Sequence, residues 1–229
     1  MRSNAQKPYY ARRNTIGVLA AYSPDSSHIL LGYAENRQLV NVGVSYSRRL
    51  FLNRILEWQY DGEILPVALE SDPLEAYVDE QTSPTPATYT GTLPSRPIAC
   101  SPMSSTYSVT FNDATYSGTE TVYCSGRQWN IGEAVSPVGM QWNFLTRRRI
   151  QPLVDGHGGY MYSTHPIPIG GAGSFNFTFD LGAGIEVFRT KTQSIRAEYR
   201  YHHISNDNTA NQNPGIDSGL FQVSYCFGR

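Results

Sequence analysis

Phe175-Asn176-Phe177-Thr178-Phe179-Asp180-Leu181-Gly182-Ala183-Gly184-Ile185-Glu186-Val187 alternates apolar side chains with polar residues or glycine from end to end. A period of two is the strand period. One face carries Phe175, Phe177, Phe179, Leu181, Ala183, Ile185 and Val187, and the other Asn176, Thr178, Asp180, Gly182, Gly184 and Glu186. The next segment repeats the pattern, with Ile195, Ala197, Tyr199 and Tyr201 against Arg196, Glu198, Arg200 and His202. Val40, Val42, Val44 and Tyr46 alternate with Asn41, Gly43, Ser45 and Ser47 in the same way. Eight such segments are predicted, at about 14–23, 38–48, 52–62, 137–145, 150–162, 174–188, 194–205 and 217–227. The clearest exceed the roughly 5–6 residues of an ordinary globular strand and suit a tilted membrane span of roughly 9–11 residues.

The connections carry a second signal. They are short near Arg49–Phe51, Thr146–Arg149 and Arg189–Gln193, and long after the first, third, fifth and seventh segments. The longest, 63–136, contains Thr82-Ser83-Pro84-Thr85-Pro86, and its pieces Tyr107–Phe111 and Thr119–Tyr123 read as a small hairpin. Short turns at one end and long loops at the other mark a transmembrane barrel. The polar face mixes charges of both signs, and the apolar face mixes large aromatics with aliphatics, so the apolar face is expected to look outward into lipid. The expected fold is all-β: an eight-stranded antiparallel up-and-down transmembrane β-barrel with short periplasmic turns and long extracellular loops. It forms a single domain over 1–229 with an extracellular loop insertion at 63–136. Its interior is filled by side chains, so it is no pore. A soluble lipocalin-like lipid binder, apolar face inward, is the alternative that parity alone leaves open.

Composition narrows the function classes. Eighteen Lys and Arg against nineteen Asp and Glu give a net charge of −1, with no general attraction to nucleic acid. No stretch approaches the roughly 18 apolar residues of a membrane helix. Met1–Asn14 is polar and basic without an apolar core, so the sequence contains no recognisable secretory signal. Cys100 and Cys124 share one polar segment; a disulfide between them suits an oxidising compartment, and two free thiols are the other possibility. Cys226 falls in a strand and reads as a small core residue. No Cys, His and Asp cluster has metal-ligand spacing. Gly170-Gly171-Ala172-Gly173 reads as a flexible extracellular loop, and Arg48-Arg49 and Arg147–Arg149 as interfacial anchors.

One place breaks the facial rule. Beyond Tyr199 and Tyr201, the apolar face of the seventh segment continues into His203 and Ser205. Residues two apart on a strand share a face at roughly 7 Å, close enough for an imidazole to take a serine proton. On the eighth segment the same face reads Asp217, Gly219, Phe221, Val223, Tyr225 and Phe227, with Asp217 its only charge. Pairing Ser205 with Asp217 would set His203 opposite Gly219, where the missing side chain leaves room for the ring, and make Asp217 its diagonal neighbour. A carboxylate there would orient the imidazole and stabilise its cationic form. His157 and His202 belong to the polar face, and His28 and His165 to loops. Phe175, Phe177 and Tyr201 suit either an acyl groove or plain lipid contact.

Tyr199-Arg200-Tyr201-His202-His203-Ile204-Ser205-Asn206, followed by Asn213-Pro214-Gly215-Ile216-Asp217, resembles the lipid A 3-O-deacylases. The resemblance is strong over about 174–228 and fainter before it, and 63–136 looks like an insertion relative to that family. It implies an outer-membrane serine esterase that removes the 3-position ester-linked acyl chain of lipid A, with lipopolysaccharide as its partner and no metal or organic cofactor. It also implies His203 as general base, Ser205 as nucleophile and Asp217 as orienting acid, where the best-known member has a Glu. Asn206 and Asn213 match positions linked to the family's oxyanion hole, and Asn208 stands where the family has a contributing glycine. A structural or adhesive barrel without activity is the non-enzymatic alternative.

Overall fold

The computed structural model describes residues 9–229, so the first eight residues of the basic segment Met1–Asn14 lie outside the described residues. The described residues form ten antiparallel strands and no helix. They are β1 (Asn14–Ser23), β2 (Gln38–Leu52), β3 (Leu56–Ser83), β4 (Ala87–Leu93), β5 (Met103–Phe111), β6 (Ala114–Phe144), β7 (Ile150–Ser163), β8 (Phe175–Phe188), β9 (Gln193–Ser205) and β10 (Ile216–Gly228). Ten strands, not the expected eight, are present.

The two additional strands come from 63–136, which is not the long loop expected. Beyond residue 62, β3 runs on to Ser83, and β6 begins at Ala114. The two remain paired as far as Gln81↔Gly118 and Ser83↔Ser117. β4 adds to the free side of β3 through Tyr77↔Gly91, and β5 to that of β6 through Tyr107↔Gly118. Asn112 and Asp113, both with positive φ (48° and 61°), make the two-residue turn from β5 to β6. The expected small hairpin of Tyr107–Phe111 with Thr119–Tyr123 is present within β5 and β6, and two physical features hid the rest. Irregularities between Tyr60 and Glu63, Leu65 and Ala68, and Pro73 and Glu75 reset the facial parity. The extension is also built from Thr, Ser and Tyr, which favour strands without any apolar alternation. The Cys100–Cys124 disulfide is formed and ties the segment after β4 to β6.

Pairing of β3 with β6 does more than extend the sheet. The sequence β1-β2-β3-β6-β7-β8-β9-β10 returns to β1, so each of these eight strands has a hydrogen-bonded neighbour on both sides. Residues 53–55, 145–149 and 189–192 make short turns at one end of this ring, where Asn14 and Gly228 also lie. Loops 24–37, 164–174 and 206–215, and the β3–β6 extension, stand at the other.

The ring is polar inside and apolar outside. Asp61, Glu63, Asp155, His157, Asp180, Glu186, Arg196, Glu198, Arg200 and His202 are buried, while Val18, Val44, Phe177, Leu181, Ile185, Val223 and Phe227 are exposed. The lipocalin-like arrangement is the reverse of this. Burying so many charges demands pairing. Arg196 donates to Asp61 (3.1 Å), and Arg200 reaches Glu63 (3.0 Å) and Asp155 (2.6 Å). Arg12 pairs with Glu186, and His202 with Asp180. Toward the long-loop end the lumen turns apolar, closed by Leu19, Leu39, Leu65, Ile167, Ile204 and Leu220. The void between these two zones is about 10 Å³, room for roughly one water. Cys226 is buried on the lumenal face.

Arg200→Met leaves three buried carboxylates, Glu63, Asp155 and Glu198, short of their cation. It is expected to destabilise the fold by about 3–5 kcal/mol, the range for breaking a buried ion pair from one side. The midpoint of urea unfolding in detergent micelles measures it.

Candidate active site

β9 and β10 place the candidate residues by register. Asp217 lies directly opposite His203, and Gly219 opposite Tyr201. This corrects the expected pairing of Ser205 with Asp217 and of His203 with Gly219. The open space at Gly219 is taken by the Tyr199 phenol, whose oxygen lies 2.0 Å from where a Cβ would stand. The imidazole lies instead beside Gly215, which has φ +62° and whose Cβ would approach the ring Cε1 at 3.2 Å. A glycine meets both demands there: it takes a left-handed conformation, and it leaves the ring its space.

Directly opposed residues are closer than diagonal ones. Asp217, one methylene shorter than a glutamate, therefore reaches His203, with Nδ1 to Oδ1 at 2.6 Å. The Asp217 side chain has 0% exposure although it stands on the outward face of β10. Its cover is loop 24–37. The backbone N–H groups of Leu30 and Leu31 donate to Oδ2 at 2.6 and 2.8 Å, and the Tyr201 hydroxyl donates to Oδ1 at 2.8 Å. Four donors thus converge on one carboxylate. With the acid ionised, Nδ1 of His203 carries the proton and Nε2 is the basic nitrogen. Nε2 makes no hydrogen bond among the described residues.

Ser205 ends β9 on the same face as His203, opposite Phe177 of β8, and is partly exposed. Its hydroxyl makes no hydrogen bond among the described residues, so the structure brings His203 and Asp217 together and leaves Ser205 unbonded beside them. Asn206 follows it and is buried. Its backbone N–H donates to Asn213 Oδ1 (3.1 Å), and its Nδ2 to the Gln212 carbonyl (2.7 Å). Asn206 and Asn213 thus form a clasp across loop 206–215, which spends the Asn206 N–H on the loop itself. Asn208 is exposed at the loop's turn with φ 60°, next to Asp207 with φ 50°. Asparagine tolerates this left-handed region, which explains how it can stand where a glycine would.

Phe175 and Phe177 are exposed on β8, and their rings meet edge to face at 5.3 Å. Tyr201, read from sequence as suiting either an acyl groove or plain lipid contact, is a hydrogen-bond donor to the acid. The Leu30 and Leu31 donors have no signature in sequence, because a backbone N–H is common to every residue but proline. Elsewhere, Asp61, Glu63 and His157 offer ligand atoms within 4.8 Å of one another, a proximity that the spacing did not suggest. Arg196 and Arg200 already occupy the two carboxylates.

Comparison with known proteins matches residues 103–226 to the lipid A 3-O-deacylase (PagL) family. The crystal structure of the outer membrane enzyme PagL is similar at TM-score 0.53 and 12% identity, covering 93% of this chain and 99% of that one. Neisserial surface protein A gives TM-score 0.46 at 12% identity, covering 94% and 97% of the two chains. The outer membrane protein OprG from Pseudomonas aeruginosa gives 0.43 at 9%, covering 96% and 98%. No curated protein matches. The family match spans more than half of the chain and the PagL structure shares its fold, so the chain belongs to the lipid A 3-O-deacylase (PagL) family, whose place is the bacterial outer membrane.

Proposed function

We propose that this protein is a serine esterase that hydrolyses the 3-position ester-linked acyl chain of lipid A from within the outer leaflet. The observation that carries the reading is the His203–Asp217 contact at 2.6 Å, held on the outward face of the ring two residues from Ser205. A polar, preoriented pair on a surface turned to lipid is costly to keep there, and such costly groups mark functional sites. In this reading the eight-stranded ring is the transmembrane barrel, with its short turns periplasmic. The β3–β6 extension, with β4 and β5, then rises outside the cell.

Nε2 of His203 accepts the Ser205 proton as Oγ attacks the ester carbon. Asp217 keeps the imidazole in the reactive tautomer and stabilises the imidazolium. The tetrahedral oxyanion needs fixed donors. Loop 206–215 offers the Asn213 amide, held in place by Asn206, while Asn208 stands at the turn beyond them. Collapse releases the sugar hydroxyl, which takes the proton from His203. Water then attacks the acyl-serine with His203 again as base, giving the free fatty acid and restoring the hydroxyl of Ser205. The chemistry is complete without a metal or organic cofactor.

Expression in a Gram-negative outer membrane should remove one 3-position acyl group from lipid A, read as a mass loss. Ser205→Ala should abolish the change, and Asp217→Asn should slow it by about a thousandfold or more. An unaltered lipid A mass beside correctly inserted wild-type protein would overturn the assignment. Asp217→Glu is expected to lower kcat by about tenfold to a hundredfold despite keeping the charge, because the added methylene displaces Oδ2 from the Leu30 and Leu31 donors. Single-turnover rates on purified protein in micelles measure this.

A further inference from the structure

Loop 24–37 turns two of its polar side chains inward and an apolar run outward. Ser26 Oγ donates to the Ala34 carbonyl (2.7 Å), and the buried Arg37 donates to Asp72 (3.0 Å) and to the Pro168 carbonyl (3.1 Å), while Asp25, Ser27 and His28 ahead of the apolar run stay exposed. Apart from the buried Ala34, its apolar side chains point out. Leu30 and Leu31 are 67% and 66% exposed, and Ile29 and Tyr33 are exposed beside them, continuing the outward row that ends β1 at Tyr22. A run of this kind on a water-facing loop would be an exposed apolar patch without a partner.

The loop is fixed against β10. Ser27 N–H donates to the Asp217 carbonyl (3.1 Å), Tyr33 N–H to that of Pro214 (2.9 Å) and Ala34 N–H to that of Gly215 (3.0 Å). Gly32 lies so close to the Gly215–Asp217 backbone that a Cβ would meet it at 2.7–2.9 Å. Two consecutive residues thus hold one oxygen of the acid with their N–H groups while His203 holds the other, and they present their side chains outward.

We infer that Leu30 and Leu31 form the acyl-contacting wall of the site, bearing on the fatty chain of the ester substrate, while their N–H groups and the Tyr201 hydroxyl position Asp217. The inference rests on the esterase reading and adds to it the residues that select the chain. Side chain and backbone of the same loop then do separable things. The leucine side chains act on binding of long chains, and Tyr201 acts on turnover of every chain.

The test uses full-length protein in detergent micelles with p-nitrophenyl butyrate and p-nitrophenyl hexadecanoate, at folded fractions equalised by heat-modifiable gel mobility. In Leu30→Ser/Leu31→Ser the preference for hexadecanoate over butyrate in kcat/KM should fall by about tenfold or more, chiefly through KM. Tyr201→Phe should lower kcat about tenfold on both esters with KM retained. A leucine variant that keeps the wild-type chain preference would assign those side chains to bulk lipid and overturn the proposal. So would an unchanged kcat in Tyr201→Phe. Wild-type protein inert to both esters would overturn the esterase reading itself.

Discussion

Buried charge organises this molecule. Arg196 and Arg200 lie inside the ring with almost no exposure, and each takes its carboxylate from another strand: Asp61 and Glu63 from β3, Asp155 from β7. Such a lumen survives only if the ring closes, since an open sheet would leave both the ion pairs and two rows of backbone groups facing hydrocarbon. β3 supplies that closure by pairing with β6, from Leu56↔Phe144 to Ser83↔Ser117, residues 88 to 34 apart in sequence. With the charged groups gathered inside, the outer face is free to be apolar, and a reactive residue placed there has lipid as its immediate surroundings.

Strand parity made much of the fold legible. β8 and β9 lie within about one residue of their sequence-based bounds, and the polar-in, apolar-out sense was readable from Arg196, Glu198 and Arg200 facing away from Tyr199 and Tyr201. Parity failed where bulges reset it. Beyond Tyr60 the irregularities in β3 and the Thr-rich faces of β4 and β5 removed the alternation, and a stretch of regular sheet read as loop. Strand propensity of threonine and tyrosine was the remaining signal there, and it is weak beside a facial pattern.

At the site, the faces were legible and the register was not. His203, Ser205 and Asp217 share a face because of a period of two, which sequence displays. Their alignment across β9 and β10 depends on the length and clasp of loop 206–215, which sequence does not display. A two-residue slip in the expected pairing turned a diagonal acid into an opposed one, and with it gave the Gly219 space to Tyr199. The acid's other partners were invisible for a different reason: Leu30 and Leu31 contribute main-chain groups, and Asp217 is buried by a loop more than 180 residues away in sequence.

The disulfide has a bearing on where this enzyme can exist in working form. Cys100 anchors a segment whose Pro97 carbonyl accepts from Glu35 N–H, whose Ala99 N–H donates to Glu35, and whose Arg96 carbonyl takes a donor from Arg37. Those contacts brace the very loop that covers Asp217. Disulfides form and persist mainly outside the reducing cytoplasm. The braced form therefore suits the outer membrane, where the family resides, and ties the cover of Asp217 to an oxidising environment.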